Sequence, residues 1–245
     1  MTHTMEPEVA TPRGAPAKRS SATLWAILVL LAVAAAQAFG VLTSPPDRDM
    51  GHLQKIMYVH VPAAWNAFLA FAVVLWGSIM YLWKREERWD LLAASAAEVA
   101  AVLTALTIAL GSIWGRPTWG VWWTWDPRLT STAILLVIIV GYLALRSFVE
   151  EPERRARWSA VIGILGALNV PIVYMSVQWW RTLHQPLSSP STVDPAYAWG
   201  LRLNAIAFLL VMIWLVRTRY HAARLERVSE LAAEREALGA GVQNG

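Results

Sequence analysis

Apolar residues along this chain fall into long runs rather than into strict alternation. Runs of that kind mark segments surrounded by hydrocarbon. About 20 apolar residues in a helix cross a hydrocarbon core of roughly 30 Å. Six such runs occur, at about 23-42, 58-83, 91-113, 129-149, 159-177 and 201-218, and they predict an all-α integral membrane protein of six transmembrane helices. The membrane domain spans 22-218, and no soluble domain fits between the runs.

The intervening polar stretches set the remaining organisation. Residues 1-21 mix Pro, Ala, Thr and charge without periodicity and predict a disordered tail. Lys18 and Arg19 ahead of a run that reaches Ala36 and Ala38 resemble a cleavable signal peptide; the run is read as a retained span. Loops are expected at 43-55, 84-90, 114-128, 150-158 and 178-200, where Pro, Gly and charge collect. Past Val216, residues 219-245 carry Leu225, Val228, Leu231 and Leu238 near helical spacing among many charges, which predicts a surface helix that touches the bilayer or a partner.

Composition agrees with this pattern: 56% of the residues are hydrophobic and only 16% are charged. The net charge of +4 does not point to nucleic acid, because the basic residues gather beside span ends instead of forming a stripe. Placing both termini on the inner side puts 15 of the 21 Lys and Arg residues there, from Arg13, Lys18 and Arg19 through Lys84, Arg85 and Arg146 to Arg235. The positive-inside rule therefore predicts cytoplasmic termini, with 43-55, 114-128 and 178-200 on the outer face. There is no cysteine, so disulfides, thiolate ligands and thioether attachment of a cofactor are excluded.

Five of the 15 tryptophans, Trp114, Trp119, Trp122, Trp123 and Trp125, lie in the outer loop Trp114-Gly-Arg-Pro-Thr-Trp-Gly-Val-Trp-Trp-Thr-Trp-Asp-Pro-Arg128. An interfacial aromatic belt is one explanation, but belts populate both interfaces, and the inner boundaries hold only a few, such as Trp83, Trp89 and Trp158. A flat ligand platform is the other. Pro117 can open a short interfacial helix and Pro127 disfavours helical geometry at Asp126, so such a helix would place Trp119, Trp122 and Trp123 on one stacking face.

Two histidines share that side: His60 near the outer end of the second span and His184 in the last outer loop. Either alone reads as a hydrogen-bonded interface residue. Beside an aromatic plate they suit a planar macrocycle, which needs a stacking surface, imidazole nitrogens for its iron and cations for its carboxylates. Arg116 and Arg128 flank the plate and can meet propionates or anchor at head groups. Asp126 can orient an arginine or cap the helix that follows. Glu98 lies within the third span and must face the bundle. His52 has no aromatic neighbours, His3 and His221 are on the wrong side, and Pro171 after Asn169 is a kink of architectural use. No phosphate loop, haem-attachment motif, serine elbow or zinc-hydrolase motif occurs, so neither nucleotide use nor catalysis is expected of this chain.

Tyr58-Val-His-Val-Pro-Ala-Ala64, the tryptophan motif with Arg128-Leu-Thr-Ser131, Asn169-Val-Pro-Ile172 and Trp179-Trp-Arg-Thr-Leu-His-Gln185 together resemble the tryptophan-rich (WWD) haem-handling membrane proteins of cytochrome c maturation. They run in order across nearly the whole membrane part. The resemblance implies that His60 and His184 are axial ligands of a b-type, non-covalently held haem, and that the tryptophan loop binds its edge and face. It implies location in the bacterial inner membrane and delivery of haem on the outer side to a membrane-anchored haem chaperone. A two-component ATP-driven transporter and a small single-span accessory protein are the other implied partners. An electron-transfer subunit of the cytochrome b type and a haem-attachment member of the same wider family are the competing readings. Histidines confined to one surface count against the first, and the short chain counts against the second.

Overall fold

The computed structural model describes residues 20–186 and 193–243, and the expected amino-terminal tail at 1–19 lies outside them. Six helices follow one another: α1 Ser20–Thr43, α2 Met57–Lys84, α3 Glu87–Trp119, α4 Pro127–Phe148, α5 Pro152–Trp179 and α6 Pro195–Gln243, with a 3-10 turn at His52–Ile56 before α2. All six are long and apolar enough to cross a membrane. One end of the bundle carries the tryptophan motif and the other carries most of the charge; they are called here the tryptophan end and the charged end.

Local chemistry places the helix ends. Asp126 is extended and its side chain accepts the Arg128 amide, with Pro127 opening α4; Glu151 accepts the amides of Glu153 and Arg154, with Pro152 opening α5. Proline at the first helical position loses nothing, since its amide would have had no partner there. Between α2 and α3 the chain reverses through Arg85 in the left-handed region, whose amide closes on the Tyr81 carbonyl at 2.8 Å.

Small side chains set the packing. Ala63, Ala67 and Ala70 of α2 and Ala93, Ala96, Ala97 and Ala100 of α3 are buried together with Phe71, Val74 and Leu103. A Cβ on Gly77 of α2 would sit 2.9 Å from the Trp89 carbonyl oxygen, so the two helices approach at backbone distance. Where lipid offers no hydrophobic drive between helices, this closeness and interhelical hydrogen bonds hold the bundle. Asn204 of α6 donates to Ala36 of α1 at 2.9 Å, Gln37 of α1 to the Tyr58 carbonyl of α2 at 3.0 Å, and Asn169 of α5 to Ser131 of α4 at 3.0 Å. The Tyr58 ring itself is clasped between Gly40 of α1 and Gly200 of α6; a Cβ on either would come within 3.0 Å of it.

Three sequence expectations meet a different or more detailed outcome in the described residues. The helix expected from about 23 begins at Ser20, so the last two residues of the predicted 1-21 tail are helical. The separate helix between Pro117 and Pro127 does not form. Instead α3 continues through Pro117 to Trp119 and stops at Gly120, whose φ of 78° turns its amide back onto the Arg116 carbonyl. Residues 120–126 then run without helix to Asp126, held extended by the proline that follows. Finally, the segment expected as a surface helix at 219-245 is helical through Gln243 and continuous with the last span: no proline or glycine interrupts 201–238, so the two form one helix. It stays against α3 through Arg219 to Glu98, 2.5 and 2.9 Å, and Arg227 to Glu87, 2.7 Å. Glu98 is thus an ion-paired residue.

Candidate functional site

At the tryptophan end, α2, α3, α4 and α5 splay around a cavity of about 270 Å³, roofed by the loop that follows α5. His60 stands in the first turns of α2, only 8% exposed, with its ring edge-on to Trp114 at 5.8 Å. Its Nδ1 is buried and has no hydrogen-bond partner. Gly111 makes room for it, since a Cβ there would lie 3.0 Å from His60 Cε1.

His184 reaches the same cavity from the loop. Its Nδ1 lies 2.9 Å from the Gln185 carbonyl oxygen; that carbonyl can only accept, so Nδ1 carries the proton and the Nε2 lone pair is free. Burial, and then the Arg128 guanidinium nearby, push the His184 imidazole below its ordinary pKa. It is therefore neutral at pH 7, the state in which imidazole binds a metal.

Asp126 holds this loop in place without lining the cavity. Its Oδ1 accepts the Arg128 amide at 2.9 Å and its Oδ2 accepts the Leu183 amide at 2.7 Å. Burial disfavours its charge, but hydrogen bonds from the Thr182 hydroxyl and from the amides of Leu183, Arg128 and Leu129 outweigh it and keep its pKa below the usual carboxylate value. One carboxylate thus ties the start of α4 to the residue beside His184.

The tryptophans divide. Trp114, Trp119 and Trp123 line the cavity with both histidines and Arg128. Trp122 and Trp125 do not; they are 60% and 82% exposed. Trp119 reaches the cavity by lying back over Gly115, where a Cβ would be 2.8 Å from its ring. The arginines divide as well. Arg128 is in the wall and its Nη1 is buried without a partner, whereas Arg116 turns away to donate to the Gly120 carbonyl that ends α3. Of the ten residues singled out in the sequence, six therefore line one cavity, Asp126 braces it, and Arg116, Trp122 and Trp125 lie outside it.

Sequence reasoning missed the deeper wall, which Ala64, Ala67, Phe68, Thr107, Leu135 and Val173 supply. The spacing 60, 64, 67 and 68 along α2 is one helical face, and that was the available signal. This lower part is apolar, and the hydroxyl of Thr107 is spent on the Leu103 carbonyl at 2.8 Å. Other polar groups of the lining include the imidazoles of His60 and His184 and the Arg128 guanidinium, whose Nη1 has no partner. Flat apolar walls beneath two metal-competent nitrogens and a cation match a planar ligand with a metal centre and acidic substituents.

Comparison with known proteins bears on the family of the chain. A family model described as "Heme exporter protein C" matches residues 8–235. The chain is 38% identical over 229 residues to "Heme exporter protein C" of Bradyrhizobium diazoefficiens, covering 88% of this chain and 86% of that one. It is 35% identical over 218 residues to the protein of the same name in Escherichia coli strain K12, covering 86% and 88%. A "Putative cytochrome c biosynthesis ccmC-like mitochondrial protein" of Marchantia polymorpha is 37% identical over 145 residues, 59% and 61% of the two chains.

Proposed function

The chain belongs to the heme exporter protein C family, and from that premise we propose that it is a haem-binding subunit of cytochrome c maturation that presents haem at its tryptophan end. The observation that carries the reading is the convergence of two imidazoles, His60 and His184, on one tryptophan-walled cavity. In this reading both axial positions of a b-type haem are taken by the histidines, which leaves none open to oxygen. Trp114, Trp119 and Trp123 supply stacking surface, and Arg128 supplies a charge-assisted hydrogen bond to a propionate. With no cysteine in the chain, the haem is held non-covalently and remains transferable.

The chain then sits in the bacterial inner membrane as a multi-pass protein with its tryptophan end outward. The acceptor is a membrane-anchored haem chaperone; a two-component ATP-driven transporter and a small single-span protein complete the assembly. The chain acts as a carrier and performs no covalent chemistry. Pyridine haemochrome spectra of the purified wild type, His60→Ala and His184→Ala test the core of this. Each variant is expected to lose most of its haem while still inserting and eluting as a folded protein. Wild-type haem content and spectrum in both variants would overturn the bis-histidine assignment.

A further inference from the structure

The loop between α1 and α2 reaches the tryptophan end through a tight turn. Asp47 and Gly51 exchange both backbone hydrogen bonds at 3.0 Å, and Gly51, with a φ of 56°, closes the turn. Asp47 Oδ1 accepts the amides of Asp49 and Met50, each at 3.0 Å. The Met50 carbonyl in turn accepts the Leu53 amide at 3.1 Å. Both polar backbone groups of Met50 are therefore bonded, and its side chain starts from a fixed point.

That side chain ends on α3. The Trp114 indole N–H donates to Met50 Sδ at 3.3 Å. One turn further along α3, Thr118 Oγ1 donates to the Trp114 carbonyl at 2.8 Å and stands 3.9 Å from the same sulfur. The thioether thus covers a single turn of α3 at Trp114. An indole N–H can only donate, and a thioether is a weak, polarisable acceptor that tolerates such a site. Met50 does not line the cavity, whereas Trp114 and Thr118 do. The Trp114 ring also meets the His60 imidazole edge-on, with centroids 5.8 Å apart and planes at 78°. The contacts therefore run in series, from the Asp47 turn to Met50, from Met50 to the indole, and from the indole to the imidazole.

We infer that Met50 is a positioning residue for His60: its thioether fixes the rotation of the Trp114 indole, and the indole fixes the plane of the imidazole. Without the sulfur, the indole N–H turns toward water at the outer face and the ring swings off His60. The role toward His60 rests on the reading of that histidine as a haem ligand. The grip on Trp114 does not.

Two measurements on the full chain in nanodiscs separate these halves. In haem-free protein carrying ¹⁵N-labelled tryptophan, the Trp114 indole resonance is identified by its loss in Trp114→Phe. Met50→Leu keeps the bulk of the side chain but removes the acceptor, and is expected to speed solvent exchange of that indole proton at least threefold. An unchanged exchange rate and resonance position would overturn the grip. In haem-loaded protein, Met50→Leu is expected to keep near wild-type haem content, release haem to apomyoglobin at least threefold faster and shift the low-spin ferric electron paramagnetic resonance signal, which follows the orientation of the imidazole planes. Met50→Gln, whose amide oxygen can accept from the indole, should restore both. In the Trp114→Phe background, Met50→Leu should add nothing further, since the two residues act through one contact. Wild-type release and signal in Met50→Leu, or effects that multiply in the double variant, would overturn the positioning role. Haem binding that survives His60→Ala unaltered would instead remove the ligand reading, and the haem-free exchange measurement would still decide whether Met50 holds Trp114.

Discussion

The two ends of the bundle spend most of their charged groups in opposite ways, although Arg155 Nε at the charged end is also buried without a partner. At the charged end, Asp90 and Arg146 form a buried bidentate pair at 2.6 and 2.9 Å, Glu98 holds Arg219, and Glu87 holds Arg227. At the tryptophan end, His60 Nδ1 and Arg128 Nη1 are buried with no partner. A buried polar group without a partner is costly, so a fold tolerates it where a ligand will complete it. Pairing at one end fixes helices; withheld pairing at the other makes a receptor.

The sharpest way to break that contrast is to unpair the charged end. Asp90→Ala leaves Arg146 buried and alone, at a cost of about 3–5 kcal/mol. Thermal unfolding should shift accordingly, while the haem bound per folded molecule stays at the wild-type level. A parallel loss of haem from folded protein would show that the two ends are not separable. Asp126→Ala is the next largest. It removes the α4 cap and frees the Leu183 amide beside His184, a loss of about 1–3 kcal/mol, and here haem content should fall together with stability. Asp126→Asn, which keeps an acceptor, should recover much of both.

A smaller effect separates the tryptophans. Trp123→Ala, in the cavity wall, should weaken haem retention, whereas Trp125→Ala, at 82% exposure, should change stability by no more than about 0.5 kcal/mol and leave the haem spectrum unaltered. The smallest concerns pH. Protonation competes with metal binding, and the His184 pKa is lowered. Haem retention should therefore stay level as pH falls through the ordinary histidine value of about 6.5 and decline only below it. A spectral midpoint at or above that value would show that His184 is not the buried, neutral ligand described.

Much of the fold was legible because a membrane helix needs little more than a long apolar run. The six spans follow directly from that. Their ends did not, and the site depends on one of them. Pro117 is a plausible helix start by type, yet Gly120 closes α3 just beyond it, and the placement of every tryptophan in the motif follows from that stop. The inward turn of Trp119 rests on Gly115 beneath it, a contact with no periodic signature. His60, His184 and Arg128 could be placed on one side from loop order alone, but the brace from Asp126 to Leu183 joins residues 57 positions apart. Arg219, 121 positions from Glu98, was equally beyond reach: nothing local distinguishes an arginine that crosses to another helix from one that faces water.

One consequence of the unbroken α6 is mechanical. Its 49 residues make a rod about 73 Å long at 1.5 Å per residue. Near one tip Gly200 presses on Tyr58, two residues from His60, and toward the other Arg219 and Arg227 grip α3. Helices of this length bend gently rather than fold without a proline or comparable break. A force on the far tip therefore acts on a lever whose other arm ends beside the histidine, with the arginine contacts as its fulcrum.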